Sequence, residues 1–441
     1  MSLRRRPVAP PETPRTQPLS VLPSPSDALV QAVLARLLEA VRGPTASAGS
    51  PTEETIRVYV DTVLAEQSRV FTRSERDEIF RTVRSEVLGL GPLDPLLADP
   101  GITEVMVNGP SEIYVERKGR LERVGVTFRD EAQVYQVIDR IVAPIGRRVD
   151  ESSPMVDGRL PDGSRVNVVV PPIAVKGPSI TIRKFPSKAL EARDLVNMGT
   201  LTSAMASFLD ATVKARLNII VSGGTGSGKT TTLNVLSQSI PTDHRIVTIE
   251  DAAELRLQQP HVVTLEARPA NLEGRGEVAI RQLVINALRM RPDRIIVGEV
   301  RGGEALDMLQ AMNTGHEGSL TTAHANSPRD LLSRLETMVL MSGAELPVRA
   351  IREQIKSAID LIVQQGRLRD GSRRITQISE LVGMEGDILV LQDLFRFRQD
   401  SVAPDGTVVG DFEACGIIPQ CLDRLTQEGQ YLNPRIFQVS A

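Results

Sequence analysis

A glycine-rich stretch, NIIVSGGTGSGKTTTLNVL at residues 218–236, constrains the fold of this chain more than any other part of its sequence. It has the G-x-x-x-x-G-K-T spacing of a phosphate-binding loop, placed directly after an apolar run and at the start of a helical pattern. Glycines let backbone N–H groups converge on phosphate oxygens, and the following helix directs its positive end toward them. The stretch therefore predicts a strand, a phosphate-binding loop and a helix of an α/β domain.

The loop and the first turn of its helix are predicted to bind ATP. The residues expected around the nucleotide are Gly223, Gly224, Thr225, Gly226, Ser227, Gly228, Lys229, Thr230 and Thr231. Among them, Lys229 is expected to reach the β- and γ-phosphates, and the Thr230 hydroxyl to hold Mg²⁺. ATP and Mg²⁺ are therefore the predicted cofactors, and a glycine-rich turn that binds nothing is disfavoured.

Acidic residues follow two of the predicted strands. In RPDRIIVGEV, Glu299 comes directly after an apolar run, and Asp293 stands before it. A carboxylate at such a strand end can hold the water shell of a metal or polarise the attacking water, so Glu299 is also a predicted metal residue. In IVTIEDAAEL, Glu250, Asp251 and Glu254 gather at a strand end, where they repel one another unless a cation or polarised water lies among them. A capped, solvated turn explains this second cluster equally well, since Asp251 to Glu254 also has the shape of a helix N-terminus.

The stretch NTGHEGSLTTAHANS contains two of the four histidines of the chain, His316 and His324. Its pattern places His316 at the end of a helix and His324 at the end of a core strand. Two histidines without a nearby third ligand make a poor metal site. For His324 we expect contact with the γ-phosphate, or with the acid that polarises its water, whereas His316 either shares this role or is a hydrogen-bonded structural histidine.

The chain divides into segments that differ in composition and in the spacing of their apolar residues. We predict a disordered Pro-rich tail at 1–26, an amphipathic helix and linker at 27–52, a helical region at 53–100, an α+β domain at 101–187, a linker at 188–200, and an α/β domain with a C-terminal tail at 201–441. The amphipathic helix is expected to pack on its own domain or on a neighbouring subunit, since its polar face is not rich in Lys and Arg. In the last segment, short apolar strands at 218–221, 245–249, 262–265, 294–297 and 319–323 alternate with helices, which predicts a mainly parallel sheet covered on both faces.

Composition excludes several function classes. A net charge of -3 and 3% aromatic residues supply neither a basic groove nor stacking faces, so no specific nucleic-acid partner is predicted. The two cysteines, Cys415 and Cys421, cannot complete a zinc site and indicate a reducing compartment. Since no run of roughly 18 apolar residues occurs, we expect a cytoplasmic protein that has no transmembrane segment and reaches a membrane only through partners.

Four of these motifs occur in the order of a known superfamily. GGTGSGKT, IEDAAEL, RPDRIIVGEVRG and TGHEGSLTTAHANS resemble the Walker A motif, Asp box, Walker B motif and His box of the secretion ATPases, the hexameric motors of type II and type IV secretion and of type IV pili. Within that superfamily, GPLDPLLADPGITEVMVNGP, RVDESSPMVDGRLPDGSRVNVVVPP, ITIRKF and LQDLFRFRQDSVAPDGTVVGDFEACGIIP resemble the Tad/Flp pilus assembly ATPase of the CpaF type. The resemblance implies a RecA-like P-loop motor domain, preceded by an α+β N-terminal domain with a helical extension.

The resemblance also implies roles for single residues. It favours Glu254 as the catalytic acid of the Asp box with Glu250 in support, makes Glu299 the Walker B acid, and leaves open whether Glu254 or Glu299 is the general base. It further implies that arginines of both domains approach the nucleotide, where a guanidinium stabilises transition-state charge. The matching positions are Arg147, Arg159, Arg165 and Arg183 in the N-terminal domain, and Arg275, Arg281, Arg289 and Arg301 in the motor domain. A solvated surface role stays open for each arginine.

The implied function is that of a homohexameric motor at the inner face of the inner membrane. It would hydrolyse ATP to drive assembly of a Tad/Flp pilus through inner-membrane platform proteins, with retraction left open. One alternative is a conjugation-type ATPase for DNA or for effectors, because the shared motifs do not distinguish cargo. The other is a nucleotide-gated scaffold with little turnover, against which the intact Lys229, Glu254 and Glu299 argue.

Overall fold

The computed structural model describes residues 25–42, 51–117, 119–185, 190–270 and 275–439. The tail predicted at 1–26 lies outside these residues as far as residue 24. The described residues form two compact units, which divide after Phe185. No helix in the described ranges is both long and apolar enough to cross a membrane.

Three helices open the first unit and pack on one another. They are α1 (Pro25–Arg42), α2 (Glu53–Ala65) and α3 (Arg73–Leu88). Val33, Ile56 and Val83 are fully buried between them. Thr72 caps α3 by accepting from the Glu75 backbone N–H, and the Glu75 side chain accepts from the Thr72 N–H in return, so two otherwise unpaired donors are satisfied. The apolar face of α1 was expected to pack either on its own domain or on a neighbouring subunit. In the structure it packs on helices of its own unit.

The rest of the first unit is an antiparallel sheet with a helix packed on it. Its elements are α4 (Asp94–Ala98), β1 (Ile102–Asn108), β2 (Ile113–Arg117), β3 (Arg120–Arg123), α5 (Glu131–Val142), β4 (Met155–Arg159), β5 (Arg165–Val169) and β6 (Ser179–Arg183). The strands lie in the order β3-β2-β1-β6-β5-β4. Buried residues of α5, among them Val137 and Ile138, share one core with Val105 and Ile180 of the sheet. This is the α+β arrangement that the sequence predicted.

The second unit is built on one nine-stranded sheet. Its elements are α6 (Ala192–Asn197), α7 (Ser203–Lys214), β7 (Ile219–Gly223), α8 (Lys229–Ser237), β8 (Ile246–Glu250), β9 (Val262–Glu266), α9 (Ile280–Ala287), β10 (Arg294–Val300), α10 (Glu304–Asn313), β11 (Leu320–Ala323), α11 (Pro328–Met341), α12 (Val348–Ala358), β12 (Leu361–Arg367), β13 (Arg373–Glu385), β14 (Ile388–Val402), β15 (Val408–Ala414) and α13 (Leu422–Gln427). The strand order is β15-β14-β13-β12-β7-β11-β10-β8-β9. Strands β12 to β9 in this order are parallel, and β12 to β15 are antiparallel.

Both faces of the parallel part are covered by helices. Ile295 of β10 packs in one core with Val284 of α9, and the next residue, Ile296, packs in the opposite core with Leu233 of α8. A strand buried on both faces has no alternation of apolar and polar residues, which explains the continuous run IIV in β10. The predicted α/β fold class is confirmed, and all five strands predicted in this unit are present with ends that shift by at most three residues.

The structure differs from the sequence-based expectation in two places. The stretch 391–419, expected as a C-terminal tail, contains most of β14 and all of β15, which extend the sheet beyond β13. Register shifts between Ile378 and Ser379 and between Leu381 and Gly383 break the regular alternation by which strands are recognised. Within 188–200, where a linker was expected, α6 forms and buries Leu195 in the core.

Candidate nucleotide site

The glycine-rich loop connects the carboxyl end of β7 to the first residue of α8. Gly228 precedes α8 with φ at 98°, a left-handed conformation that glycine adopts without a steric penalty. At Gly223 a Cβ atom would lie 2.1 Å from the Gln365 carbonyl oxygen on β12. Both glycines are therefore required by the local geometry, and the loop keeps a backbone cradle that a phosphate can enter.

A chain of polar contacts joins the loop lysine to the acid at the end of β10. Lys229 is 8% exposed, and its Nζ lies 3.2 Å from the Gly224 carbonyl oxygen and 3.3 Å from Nδ1 of His324. Nε2 of His324 lies 2.7 Å from Oε1 of Glu299. His324 and Glu299 lie close together because β10 and β11 are parallel neighbours whose carboxyl ends lie at the same edge of the sheet.

The electrostatic surroundings favour a neutral His324. Burial and, after it, the positive charge of Lys229 hold the pKa of His324 below its ordinary value of 6.5, against the opposing effect of Glu299. A neutral imidazole with its proton on Nε2 can donate to Glu299 and accept from Lys229 at the same time. The ring therefore lies within reach of both groups, although Oε1 of Glu299 accepts no hydrogen bond in this geometry.

Arg301 closes the other side of Glu299. Its Nε and Nη2 donate to Oε2 of Glu299 at 2.8 and 2.5 Å, and its Nη1 donates to Oδ2 of Asp251 at 3.3 Å. Oε2 of Glu299 thus accepts two hydrogen bonds from Arg301, whereas Oε1 lies beside the His324 ring and accepts no hydrogen bond within the described part of the chain. Of the motor-domain arginines considered from the sequence, Arg301 is the one that the structure brings into this network.

Glu250 is buried and holds the loop that carries Glu254. It is 3% exposed, and its Oε1 accepts from the backbone N–H groups of Glu254 at 2.9 Å and of Leu255 at 3.1 Å. A Cβ on Gly298 would lie 2.7 Å from Glu250 Cγ, so the glycine of the Walker B motif makes room for this side chain. Residues 251–260 form a loop that leads to β9, so the turn is capped, by Glu250, but no helix begins in it. The position of Glu250 in the acidic cluster is therefore explained by its hydrogen bonds to the backbone N–H groups of the loop, and not by the start of a helix.

His316 and His324 lie beyond opposite ends of the same strand, β11. His324 directly follows the carboxyl end of β11, whereas His316 lies before its amino end. There the His316 carbonyl oxygen accepts from Ser319 Oγ at 2.7 Å. Asp293 also lies at the amino edge, where its Oδ2 accepts from the Arg245 N–H at 2.7 Å. His316 and Asp293 are thus separated from the phosphate-binding loop by the length of a strand.

The other three motor-domain arginines lie elsewhere in the second unit. Arg281 donates to Asp307 at 2.8 Å and to the Ser342 carbonyl oxygen at 3.1 Å, and so ties α9 to α10. Arg289 is exposed in the connection that leads to the start of β10. Arg275 is in the segment between β9 and α9. Arg281 therefore has a structural role in the described residues.

Three of the arginines considered in the first unit stand side by side. Arg159 on β4 is paired in register with Arg165 on β5, which in turn is paired with Arg183 on β6. Directly opposed residues of antiparallel strands point to the same face, so the three guanidinium groups form a row, called here the arginine row. Arg147 donates to the carbonyl oxygen of Asp157 at 3.1 Å. The row thus places three positively charged side chains on one face of the sheet, with Glu104 of β1 next in register to Arg183.

Sequence reasoning missed the contribution of β12 and β13 to the loop. Gln365 lies beside Gly223, and its side chain accepts from Thr232 Oγ1 at 2.9 Å. Arg373 donates from Nε to the Gly226 carbonyl oxygen at 3.0 Å. The available signal was the basic hairpin GRLRDGSRR, which directly follows an apolar strand.

The residues present fit Mg·ATP. The loop has the glycine cradle, Lys229 is buried at the start of α8, and Thr230 follows it. In the described part of the chain, no three His, Cys, Asp or Glu residues come together in a way that could hold a metal ion alone. Mg²⁺ keeps several waters and binds through few carboxylates and through substrate phosphates. Thr230 and Glu299 are the residues that would hold it, partly through water.

Comparison with known proteins places the chain among secretion proteins. Residues 86–383 match the family model described as "Type II/IV secretion system protein". The chain is 41% identical over 340 residues to a "Putative conjugal transfer protein" of Mycobacterium tuberculosis, with 72% of this chain and 96% of the relative covered. It is 35% identical over 310 residues to the conjugal transfer protein TrbB of Rhizobium radiobacter, with 69% and 91% covered. Among solved structures, the VirB11 ATPase from the Brucella suis type IV secretion system in complex with sulphate is 33% identical, with 66% of this chain and 95% of that chain covered and a TM-score of 0.37.

Proposed function

Because the chain belongs to the type II/IV secretion system protein family, we propose that it is a ring-forming motor that couples ATP hydrolysis to work on a machine of the cell envelope. ATPase activity follows from membership of the family. The observation that carries the proposal is the continuous network from Lys229 through His324 and Glu299 to Arg301. A phosphate-binding turn without hydrolytic function has no need of an acid, an imidazole and a guanidinium aligned beside its lysine.

The network suggests how the residues act during hydrolysis. Glu299 orients and polarises the attacking water, and Mg²⁺, when bound, neutralises charge on the β- and γ-phosphate oxygens. Lys229 exchanges its contacts with Gly224 and His324 for phosphate oxygens when ATP binds. His324 then loses its contact with Lys229 and is free to turn and donate to Oε1 of Glu299, which lies 2.7 Å from Nε2, so the imidazole links occupancy of the γ-phosphate subsite to the orientation of the acid. Glu254, on the loop held by Glu250, is the second candidate for the general base.

We extend the proposal to the first unit, where the arginine row is the surface suited to phosphate. Three arginines stand in register on one face of β4, β5 and β6, and a guanidinium is the side chain whose geometry matches an oxyanion. Arg183, at one end of the row, also lies 3.8 Å from Glu104. Arg147 is not on one of these paired strands and is therefore the weaker candidate for a contact with phosphate.

For the machine itself we propose a Tad/Flp-type pilus, with the chain acting as a homohexamer on inner-membrane platform proteins and with ATP and Mg²⁺ as cofactors. The proposal rests on the CpaF-type stretches outside the four motor motifs. Transfer of DNA or effectors in a conjugation-type system is the second candidate. It is favoured by the names of the relatives in Mycobacterium tuberculosis and Rhizobium radiobacter, which are both described as conjugal transfer proteins.

Two experiments test these proposals. With the purified full chain, Lys229→Ala should abolish ATP turnover, whereas Lys214→Ala, which removes a surface lysine paired with Asp210, should leave it unchanged. Unaltered turnover in Lys229→Ala would show that this loop is not the active site. In the source organism, the Lys229→Ala allele should remove surface pili and leave plasmid transfer intact. Normal piliation with lost transfer would instead support the conjugation function.

A further inference from the structure

The carboxyl edge of the parallel sheet is electrostatically asymmetric about β7. On the side of β11, β10 and β8 lie His324, Glu299 and Glu250, at the ends of their strands. On the other side, the hairpin of β12 and β13 brings Arg367 and Arg373 toward the loop. The flank of β11, β10 and β8 thus carries carboxylates of which Glu299 is paired with Arg301, whereas Arg367 and Arg373 approach the loop from the other flank.

The arginine flank is in direct contact with the loop. Arg373 donates to the Gly226 carbonyl oxygen at 3.0 Å, and its Cδ lies 3.2 Å from the position that a Cβ on Gly228 would take. Arg367 Nη1 lies 3.6 Å from the equivalent position on Gly226. Together with the Gln365 carbonyl oxygen against Gly223, the hairpin supports the loop at three of its glycines.

The asymmetry fixes which end of a bound nucleotide meets which flank. Thr230 and Glu299 are the residues that would hold Mg²⁺, which would supply positive charge to the terminal phosphates, so the γ-phosphate end of ATP belongs beside Glu299. The α-phosphate and the nucleoside then extend toward β12 and β13. A residue on that flank contacts a part of the ligand that ATP and ADP share, and it takes no part in bond cleavage.

We propose that Arg373 is a positioning residue that sets the affinity of this site for the nucleoside diphosphate portion of its ligand. The proposal rests on the proposed nucleotide site and deepens it. By holding the Gly226 carbonyl oxygen, Arg373 keeps the outer turn of the loop in its binding shape and places a positive charge beside the α-phosphate end. Binding that is equal in the ground state and in the transition state changes KM and leaves kcat unaltered.

The experiment uses the full chain and compares Arg373→Ala, Arg373→Lys and the control Arg369→Ala. Arg369 lies in the turn of the same hairpin and is exposed. We measure Kd for ADP and for a non-hydrolysable ATP analogue, together with kcat and KM for ATP. Arg373→Ala should raise both Kd values by the same factor, roughly tenfold as for loss of one charged hydrogen bond, raise KM similarly, and leave kcat within about twofold. Arg373→Lys, which still donates to a carbonyl oxygen, should recover most of the affinity, and Arg369→Ala should behave as the wild type.

Two results would overturn the proposal. Unchanged Kd values in Arg373→Ala would mean that the contact with Gly226 is incidental, and a larger loss for the ATP analogue than for ADP would place Arg373 at the γ-phosphate. Amide hydrogen exchange guards against a folding artefact, because the loss should be confined to residues 223–228 and absent from β14 and β15. If the wild type binds nucleotide without hydrolysing it, the proposed motor function fails, whereas the Kd comparison still tests Arg373.

Discussion

Nε2 of His324 lies 2.7 Å from Oε1 of Glu299, at the ends of two adjacent parallel strands. The imidazole therefore stands between the acid and the loop lysine, whose Nζ is 3.3 Å from Nδ1. One side chain thus contacts both the group that binds phosphate and the group that polarises water. This relationship makes His324 the residue through which the two events are coupled.

Replacing His324 should therefore separate binding from turnover. His324→Ala should retain ATP binding within a few-fold and lower kcat by roughly a hundredfold, the size of effect seen when one positioned polar group of an active site is removed. His261→Ala is the matched control, since His261 is exposed before the amino end of β9 and contacts Arg245. Steady-state hydrolysis and equilibrium binding measure the two quantities. A variant that hydrolyses ATP normally would remove His324 from the mechanism.

Glu250 should act through the loop that it caps. Glu250→Ala leaves the N–H groups of Glu254 and Leu255 without their acceptor, which costs about 1–3 kcal/mol for each buried donor and should lower both Tm and kcat. Glu250→Gln keeps an acceptor oxygen and should recover much of both losses. Glu277→Ala, at an exposed position, is the control. Equal effects of the Ala and Gln variants would instead indicate that the charge of Glu250 is needed.

The arginine row should contribute to turnover although it lies in the first unit. Arg165 is its central member, and Arg165→Ala should lower kcat more than tenfold if the row stabilises transition-state charge. Arg120→Ala removes an exposed arginine from β3 of the same sheet and should have no effect. The measurement is ATP turnover at saturating ATP, with circular dichroism as a check of folding. Equal rates for both variants would assign the row to a surface role.

Asp360 should make stability depend on pH. Burial raises the pKa of Asp360 above 3.8, against the lowering effects of the Asn218 N–H and of Arg424. A carboxyl whose pKa is raised by folding binds its proton more tightly in the folded state, so its contribution to stability is present below 3.8 and is lost as the pH rises through the folded pKa. Asp360→Asn should therefore be more stable than the wild type at neutral pH, and this gain should shrink as the pH falls. Thermal unfolding across pH measures it, and a gain that grows toward low pH would contradict the assignment.

Phe437 should anchor the C-terminal segment on the motor unit. Its ring lies 5.3 Å from that of Phe208 and 5.5 Å from that of Phe395, and it is 1% exposed. Phe437→Ala should cost about 3–5 kcal/mol of unfolding free energy, as removal of a buried aromatic ring does. Tyr431→Ala, which truncates a side chain that is 81% exposed, should cost almost nothing. Chemical denaturation of both variants decides the point.

Much of the site follows from the sequence because parallel strands bring their carboxyl ends to one edge. Lys229 ends the glycine-rich loop that follows β7, Glu299 lies near the end of β10, and His324 directly follows β11, so their convergence is predictable without a structure. The burial of Glu250 was not predictable, since the sequence around an acid at a strand end does not differ between an acid that faces solvent and one that caps a loop. Arg373 was missed because its contact with Gly226 spans 147 positions of the chain and depends on the pairing of β12 with β7.

The unbroken sheet has a consequence for how the chain can vary. Backbone hydrogen bonds run from β9 through the loop strand β7 to β15, so the phosphate-binding loop and the outermost strand belong to one hydrogen-bonded lattice. Such a lattice does not depend on which side chains the outer strands expose. The exposed side chains of β13, β14 and β15 can therefore change to suit a new partner, while the hydrogen-bonded backbone that connects these strands to the nucleotide-binding loop stays the same.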